Sequence, residues 1–243
     1  IKKTFLLLKQ KGLLRKRSKY IILYKRAEAR QKNKKILQKE KQKMAEIKVI
    51  TIGRHYCAGG STIGKLVAEK LGIPCYDREI IDMAAQKSGI AMSEIQKYEE
   101  AALSILKTPI NLFSKEKEYP ITEKIFAAET EVIMELVSKG NCVIVGRCAD
   151  FILKNKVKTL NVFINASFEK RQECAIEKHN ISEDEVEARL KKYDKKRADY
   201  YNSNTNKKWG DISSYDMCLD SGRLGYEMCA EIIADTVKLS REK

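Results

Sequence analysis

Cysteine pairs of the C-x-x-C type are missing from this chain, and histidine is nearly missing, with only His55 and His179. Together these absences argue against a zinc site, whose Cys and His ligands commonly recur at short fixed spacings. Long apolar runs are missing too. The longest near the start are Phe5 to Leu8 and Tyr20 to Tyr24, far short of the roughly 20 residues a spanning helix needs. Lys and Arg interrupt every apolar stretch there and no small-residue cleavage site follows, so a cleaved secretory leader is not expected. No internal repeat is visible. The seven cysteines, Cys57, Cys75, Cys142, Cys148, Cys174, Cys218 and Cys229, are odd in number. Several lie in apolar runs such as CVIVG and YDMCLDS, and they read as buried, reduced thiols of a cytoplasmic protein.

What is present is a globular composition, 43% apolar and 33% charged, with a formal net charge of +15 over 243 residues. Such an excess suggests nucleic acid or an anionic surface, but its placement decides the matter. Residues 1–43 hold 17 Lys and Arg against Glu28 and Glu40 alone, and the other 200 residues balance at 31 basic and 31 acidic. The whole excess belongs to one N-terminal segment, which rules out a globally basic nucleic-acid-binding fold as the simplest reading. We therefore divide the chain into a basic tail, 1–43, and a neutral domain, 44–243. The charge step falls at Met44, which suggests Met44 as the natural start and the tail as upstream sequence. The rival reading is an amphipathic basic arm that touches RNA, DNA or an anionic membrane surface.

From Lys48 onward, short apolar runs alternate with helical periodicity. Strands are expected at Val49 to Gly53, Cys75 to Tyr76, Cys142 to Gly146, Leu160 to Ala166 and Tyr215 to Asp220. Between them, Leu66, Val67 and Leu71 mark one helix face, ended by Gly72 and Pro74. Further helices are expected over 78–87, over a stretch reaching Lys139 with breaks near Pro109 and Pro120, and over 167–204. Leu224, Met228, Ile232 and Val237 suggest a closing amphipathic helix. Buried strands separated by helices predict an α/β fold, a parallel sheet covered on both faces.

The most informative segment is VITIGRHYCAGGSTIGKLVAEKLG, Val49 to Gly72. A buried strand enters a turn of small residues, Cys57, Ala58, Gly59, Gly60, Ser61 and Thr62, and leaves it as a helix. This order places backbone N–H groups and a helix N-terminus around a phosphate. The glycines allow close approach, and Ser61 or Thr62 offers a hydroxyl to Mg²⁺. The match to G-x-x-x-x-G-K-[ST] is incomplete. With Ser61 at the hydroxyl position, Gly60 replaces the lysine and Arg54 replaces the first glycine. Arg54 or Lys65 would have to replace the lysine's charge. On its own the turn reads equally as a phosphate site or an ordinary strand–helix connection.

Taken with CVIVGRCADFIL, LNVFINASFEKRQE, DKKRADYY and YDMCLDSGRLG, the segment resembles the cytidylate kinase-like family, a divergent branch of the P-loop nucleoside monophosphate kinases. The resemblance spans about 47–237. It implies a P-loop kinase-type sheet of about five strands with helices on both sides and a helical lid, and a glycine turn that commonly lacks the lysine. Arg147, in the GR pair, resembles the arginine that grips the acceptor phosphate, a task suited to its planar fork. Arg171 falls where such kinases lead into the lid. Asp194 and Arg197 match the lid's D-x-x-R, with the aspartate orienting the arginine. Asp77, in YDREII, faces the acceptor cleft by analogy. Two positions depart from the pattern: Cys148 stands where an aspartate usually helps read the nucleotide, and Cys174-Ala175 stand for a double arginine.

The resemblance implies ATP and Mg²⁺, with phosphoryl transfer to a nucleoside monophosphate, CMP or dCMP. Arg54 and the residues from Cys57 to Thr62 would hold the ATP phosphates. Ser61 or Thr62 would ligate Mg²⁺. Asp77 and Arg147 would hold the acceptor, and Arg147, Arg171, Asp194 and Arg197 would form the catalytic set. Two other readings stay open: a nucleotide-binding regulatory module with little catalysis, and a nucleic-acid-associated protein acting through its tail. His55, Tyr56 and Trp209 have packing or surface positions as their default.

Overall fold

The computed structural model describes residues 46–94 and 121–241. The basic tail, the step at Met44 and the breaks near Pro109 and Pro120 lie outside these residues. The five apolar runs are the five strands: β1 (Val49–Arg54), β2 (Cys75–Tyr76), β3 (Cys142–Val145), β4 (Thr159–Asn165) and β5 (Met217–Asp220). They form one sheet in the order β2-β3-β1-β4-β5, and every neighbouring pair is parallel. A parallel sheet is covered on both faces, so its central strands are continuously apolar. β3 is buried at all four positions.

The helices are α1 (Gly60–Leu71), α2 (Glu79–Ser88), α3 (Ile121–Ser138), the single turn α4 (Ala149–Ile152), α5 (Phe168–His179), α6 (Glu183–Thr205), the short α7 (Ser221–Leu224) and α8 (Tyr226–Arg241). Side chains alternate along a strand, so the sheet divides the core in two. Ile50 and Ile52 of β1 point into a cluster with Ile63 and Val67 of α1 and Ile233 and Val237 of α8. Val49, one residue out of phase, joins Ile80 of α2, Ile133 of α3, Leu153 and Tyr201 of α6 on the opposite face. Among the described residues, no helix is long and apolar enough to cross a membrane.

Three expectations need correction. The apolar face of α8 is only partly the one expected: Val237 is buried and Ile232 packs against the core, but Met228 is 53% exposed and Leu224, just before the helix, 42%. The buried stripe is Cys229, Ala230, Ile233, Ala234 and Val237. Small residues sit there because α8 packs closely along α1, with Ile63, Val67 and Ala68 of α1 in the same cluster as Cys229 and Ala230. Cys218 is exposed rather than buried, because β5 is an edge strand with a solvent-facing side. The helical stretch from Ser167 is two helices, parted where Asn180 turns left-handed at φ 51°.

After β3 the chain passes over β1 to reach β4. Such a change of direction leaves a crevice at the carboxyl ends of the strands. The glycine turn follows β1, and Gly146-Arg147 follows β3, so both open at that edge.

Candidate active site

The turn after β1 is tied down from several sides. The His55 N–H donates to Ile164 O at 3.0 Å. The Ser221 hydroxyl, at the start of α7, donates to Ala58 O at 2.7 Å. Cys57 and Gly59 have φ of 59° and 77°, the left-handed region that favours glycine at the second position. Gly59 also lies flat against a ring: a Cβ there would sit 2.4 Å from Tyr226. Gly60 begins α1, and no side chain caps the helix start. Its first N–H groups are therefore open to an anion. Gly60 packs on the stem of Arg54, whose Cβ lies 2.6 Å from where a Gly60 Cβ would be. The residues fit a phosphate chain, and the hydroxyls of Ser61 and Thr62 stand in the first turn of α1.

The Arg54 guanidinium does not curl back over this turn. It reaches across Gly146 to Asp77, with Nη2 3.2 Å from Oδ1. A Cβ on Gly146 would meet Arg54 Nη1 at 2.0 Å, so only glycine leaves room for the crossing. Burial first, and then the neighbouring Arg197, push the Arg54 guanidinium down to about 9, with Asp77 opposing; it stays charged at neutral pH. Its Nε is buried without a partner.

Arg197 is also buried, which lowers its pKa, and Asp194 opposes the shift. Its Nη1 donates to Arg54 O at 3.1 Å. The carboxylate of Asp194, expected to orient Arg197, makes its hydrogen bonds elsewhere. It accepts from the Tyr56 N–H at 2.7 Å and from Arg171 at 2.5 Å. Arg171 is itself buried and lies beneath the turn, in reach of Tyr56 O at 3.4 Å. Asp194 and Arg171 thus hold the turn to α6, while Arg197 reaches the cleft.

Arg147 Nη1 pairs with Glu129 Oε1 at 3.0 Å. Gly146, Arg147 and Cys148 all have positive φ, at 82°, 55° and 54°. Non-glycine residues hold such conformations only where the surroundings impose them, and here they aim Arg147 off the end of β3. The guanidinium also lies over the Tyr200 ring at 5.6 Å.

Several functional groups escaped the sequence reading. Glu129 is fully buried and accepts from both Arg147 and the Tyr200 hydroxyl. In sequence it is one acid among many on an amphipathic helix. Asp150 accepts from Tyr201 OH at 2.7 Å, and burial raises its pKa against that hydrogen bond. Tyr56, assigned by default to packing or surface, organises the junction: its ring stacks on Tyr193 at 4.3 Å, and Arg197 lies 5.5 Å from it. His55 does pack, edge-on against Phe163 and Trp209.

These groups line a cleft of about 990 Å³ at the carboxyl edge of the sheet, bounded by Arg54, Arg147, Lys196, Arg197, Asp150 and Tyr200 among others. The volume suits a nucleotide-sized ligand, and the cations converging there select for an anionic one. Asp77 is engaged by Arg54 at the β2 side. The cleft and the glycine turn share Arg54 as their common wall.

A sequence model of the cytidylate kinase-like family matches residues 49–223. A cytidylate kinase of Methanocaldococcus jannaschii is 27% identical over 193 residues, covering 78% of this chain and 97% of that protein. Among solved structures, an uncharacterized protein from Eubacterium ventriosum superposes with a TM-score of 0.60. It is 24% identical, over 79% of this chain and 99% of that one.

Proposed function

This chain belongs to the cytidylate kinase-like family, and we propose that it transfers the terminal phosphoryl group of ATP to a nucleoside monophosphate, with CMP or dCMP the preferred acceptor. The observation that carries the reading is the convergence of Arg54, Arg147 and Arg197 on one cleft beside an uncapped helix start. Phosphoryl transfer requires positioning and charge neutralisation more than covalent chemistry.

In this reading the N–H groups of Gly60, Ser61 and Thr62 hold the ATP phosphates. Ser61 or Thr62 would hold Mg²⁺, which would neutralise phosphate charge there. Arg147, aimed by Glu129, grips the acceptor phosphate with its planar fork. Arg197, seated on the carbonyl of Arg54, meets the transferring group from α6, and Arg54, turned across Gly146 toward Asp77, adds its charge to the cleft rather than to the turn. Asp194 and Arg171 act through the turn rather than on phosphate. No general base is required, because an acceptor phosphate is already ionised. Asp150, two residues beyond the cysteine that replaces the usual aspartate, places a carboxylate in the same cleft for the acceptor's base. The free thiols suit a reducing compartment such as the cytoplasm.

A coupled ADP-release assay over the common nucleoside monophosphates tests the reading. Turnover is expected, greatest with CMP or dCMP, and Arg147→Ala should lose at least ~10-fold in rate, the effect of ~1.4 kcal/mol on the barrier. Absence of turnover with every acceptor would remove it. One observation favours a second reading, a nucleotide-binding module with little catalysis: Arg54 faces Asp77 rather than the glycine turn, which lacks its lysine. Thermal stabilisation by ATP without product formation would select that module.

A further inference from the structure

The fold closes three soft or borderline metal ligands into one corner, and their side chains have no part in the phosphate binding proposed above, which uses backbone N–H groups of the turn. Cys57 comes from the glycine turn, Cys174 from the middle of α5 and His179 from the last position of α5. One ligand atom from each lies within 4.8 Å of the other two. We propose that Cys57, Cys174 and His179 form a binding site for a thiophilic divalent cation, with Zn²⁺ as the fitting ion.

The donor set is two sulfurs and one imidazole nitrogen. Magnesium is a hard ion that takes oxygen ligands, so this site is chemically separate from any Mg²⁺ site at Ser61 or Thr62. Zinc bonds of about 2.3 Å to sulfur and about 2.0 Å to nitrogen put tetrahedral ligand atoms somewhat under about 4 Å apart. Closing from 4.8 Å therefore takes a movement of about an ångström, within the reach of side-chain rotation. Two thiolates cancel the dication, so the filled site adds no net charge next to Arg171 and Arg197. Cys57 and Cys174 are half-buried, while His179 is exposed, which leaves the fourth position open to water as in three-ligand zinc sites. The imidazole does not hang free: it stacks on the Tyr56 ring at 5.8 Å with 28° between the planes. Tyr226 OH lies 3.7 Å from Cys174 Sγ, placing a hydroxyl beside the sulfur to hydrogen-bond a bound thiolate.

No C-x-x-C or H-x-x-x-H spacing announces this group. Its ligands stand 117 and five residues apart in sequence, and only the fold unites them. Its consequence is mechanical: a filled site clamps the turn after β1 to α5. The proposal stands on the cluster alone and does not depend on the phosphotransferase reading.

Cobalt titration of the reduced full-length chain tests it, with a phosphine reductant that does not compete for metal. One Co²⁺ per chain should bind, with a thiolate-to-cobalt charge-transfer band that an equivalent of Zn²⁺ abolishes. Cys57→Ser and Cys174→Ser should each diminish the band. Each should also weaken binding by more than the ~10–100-fold that loss of a mere outer partner costs. His179→Ala, on an exposed side chain and safe for folding, should keep the band but weaken binding. It should also lose the rise in melting temperature that Zn²⁺ gives the parent. Cys218→Ser, at the exposed edge-strand thiol, should match the parent throughout. No charge-transfer band, or a band and affinity untouched by the Cys57, Cys174 and His179 substitutions, would overturn the site.

Discussion

Glu129 shows how one side chain sets the job of another. It is fully buried, and Arg147 and Tyr200 donate to its carboxylate, which offsets the cost of burying it. The pair leaves the planar guanidinium of Arg147 anchored at one edge and directed along the cleft. Glu129→Ala would take the carboxylate away from Arg147 and Tyr200 and leave a cavity at a fully buried position, and losing one partner of a buried pair typically costs about 3–5 kcal/mol. Urea denaturation should show that loss. Glu129→Gln keeps the shape and removes the charge, so it should stay folded while turnover falls at saturating acceptor. A stable Gln variant with full activity would show that Arg147 needs no such anchor. None of this was legible in the sequence, where ITEKIFAAETEVIMELVS carries four acids and nothing marks the second as buried. The arginine was legible, because GR after an apolar run is local. Its partner comes from 18 residues away and depends on how α3 packs.

At the scale of elements, the strands could be read in advance because a parallel sheet demands continuous apolar runs, and each of the five lies within a residue or two of its expected place. The helix faces were harder. α8 presents alanines and cysteine inward beside Ile233 and Val237 because α1 is near, and a pattern that weights large residues draws in Met228, which is exposed. α6 is harder still, being charged nearly all round, with its role fixed by single contacts at its middle. Asp194 is the strongest of these, joining the Tyr56 N–H to Arg171. Asp194→Ala would free the turn from α6 and leave the buried Arg171 without its carboxylate. The expected result is a higher KM for ATP, with faster limited proteolysis at 180–182, where α5 gives way to α6. Unchanged proteolysis with unchanged KM would show that the stack of Tyr56 on Tyr193 holds the junction by itself.

For the whole molecule, the decisive quantity is where its charge lies. All +15 resides in residues 1–43, while every residue of the glycine turn and the cleft belongs to the neutral remainder. The cations that matter in that remainder are few and largely buried, and they act on a ligand at contact distance in a low-dielectric cleft, where screening by salt is weak. The tail is the opposite case. A run of Lys and Arg acts on polyanions by displacing counterions, so its affinity falls steeply as salt rises, with a slope set by the number of phosphates neutralised. The two halves should therefore separate in one experiment. A chain lacking residues 1–43 should keep the turnover and the nucleotide-induced stabilisation of the full chain. The full chain should retain RNA only at low salt, and the shortened chain should not retain it at all. RNA binding that survives removal of the tail would place a second polyanion surface on the neutral part. Loss of turnover on removal would make the tail part of the working enzyme rather than an appendage to it. The contrast is sharp because the arginine cleft and the basic run answer to different physics, contact geometry in one case and counterion release in the other.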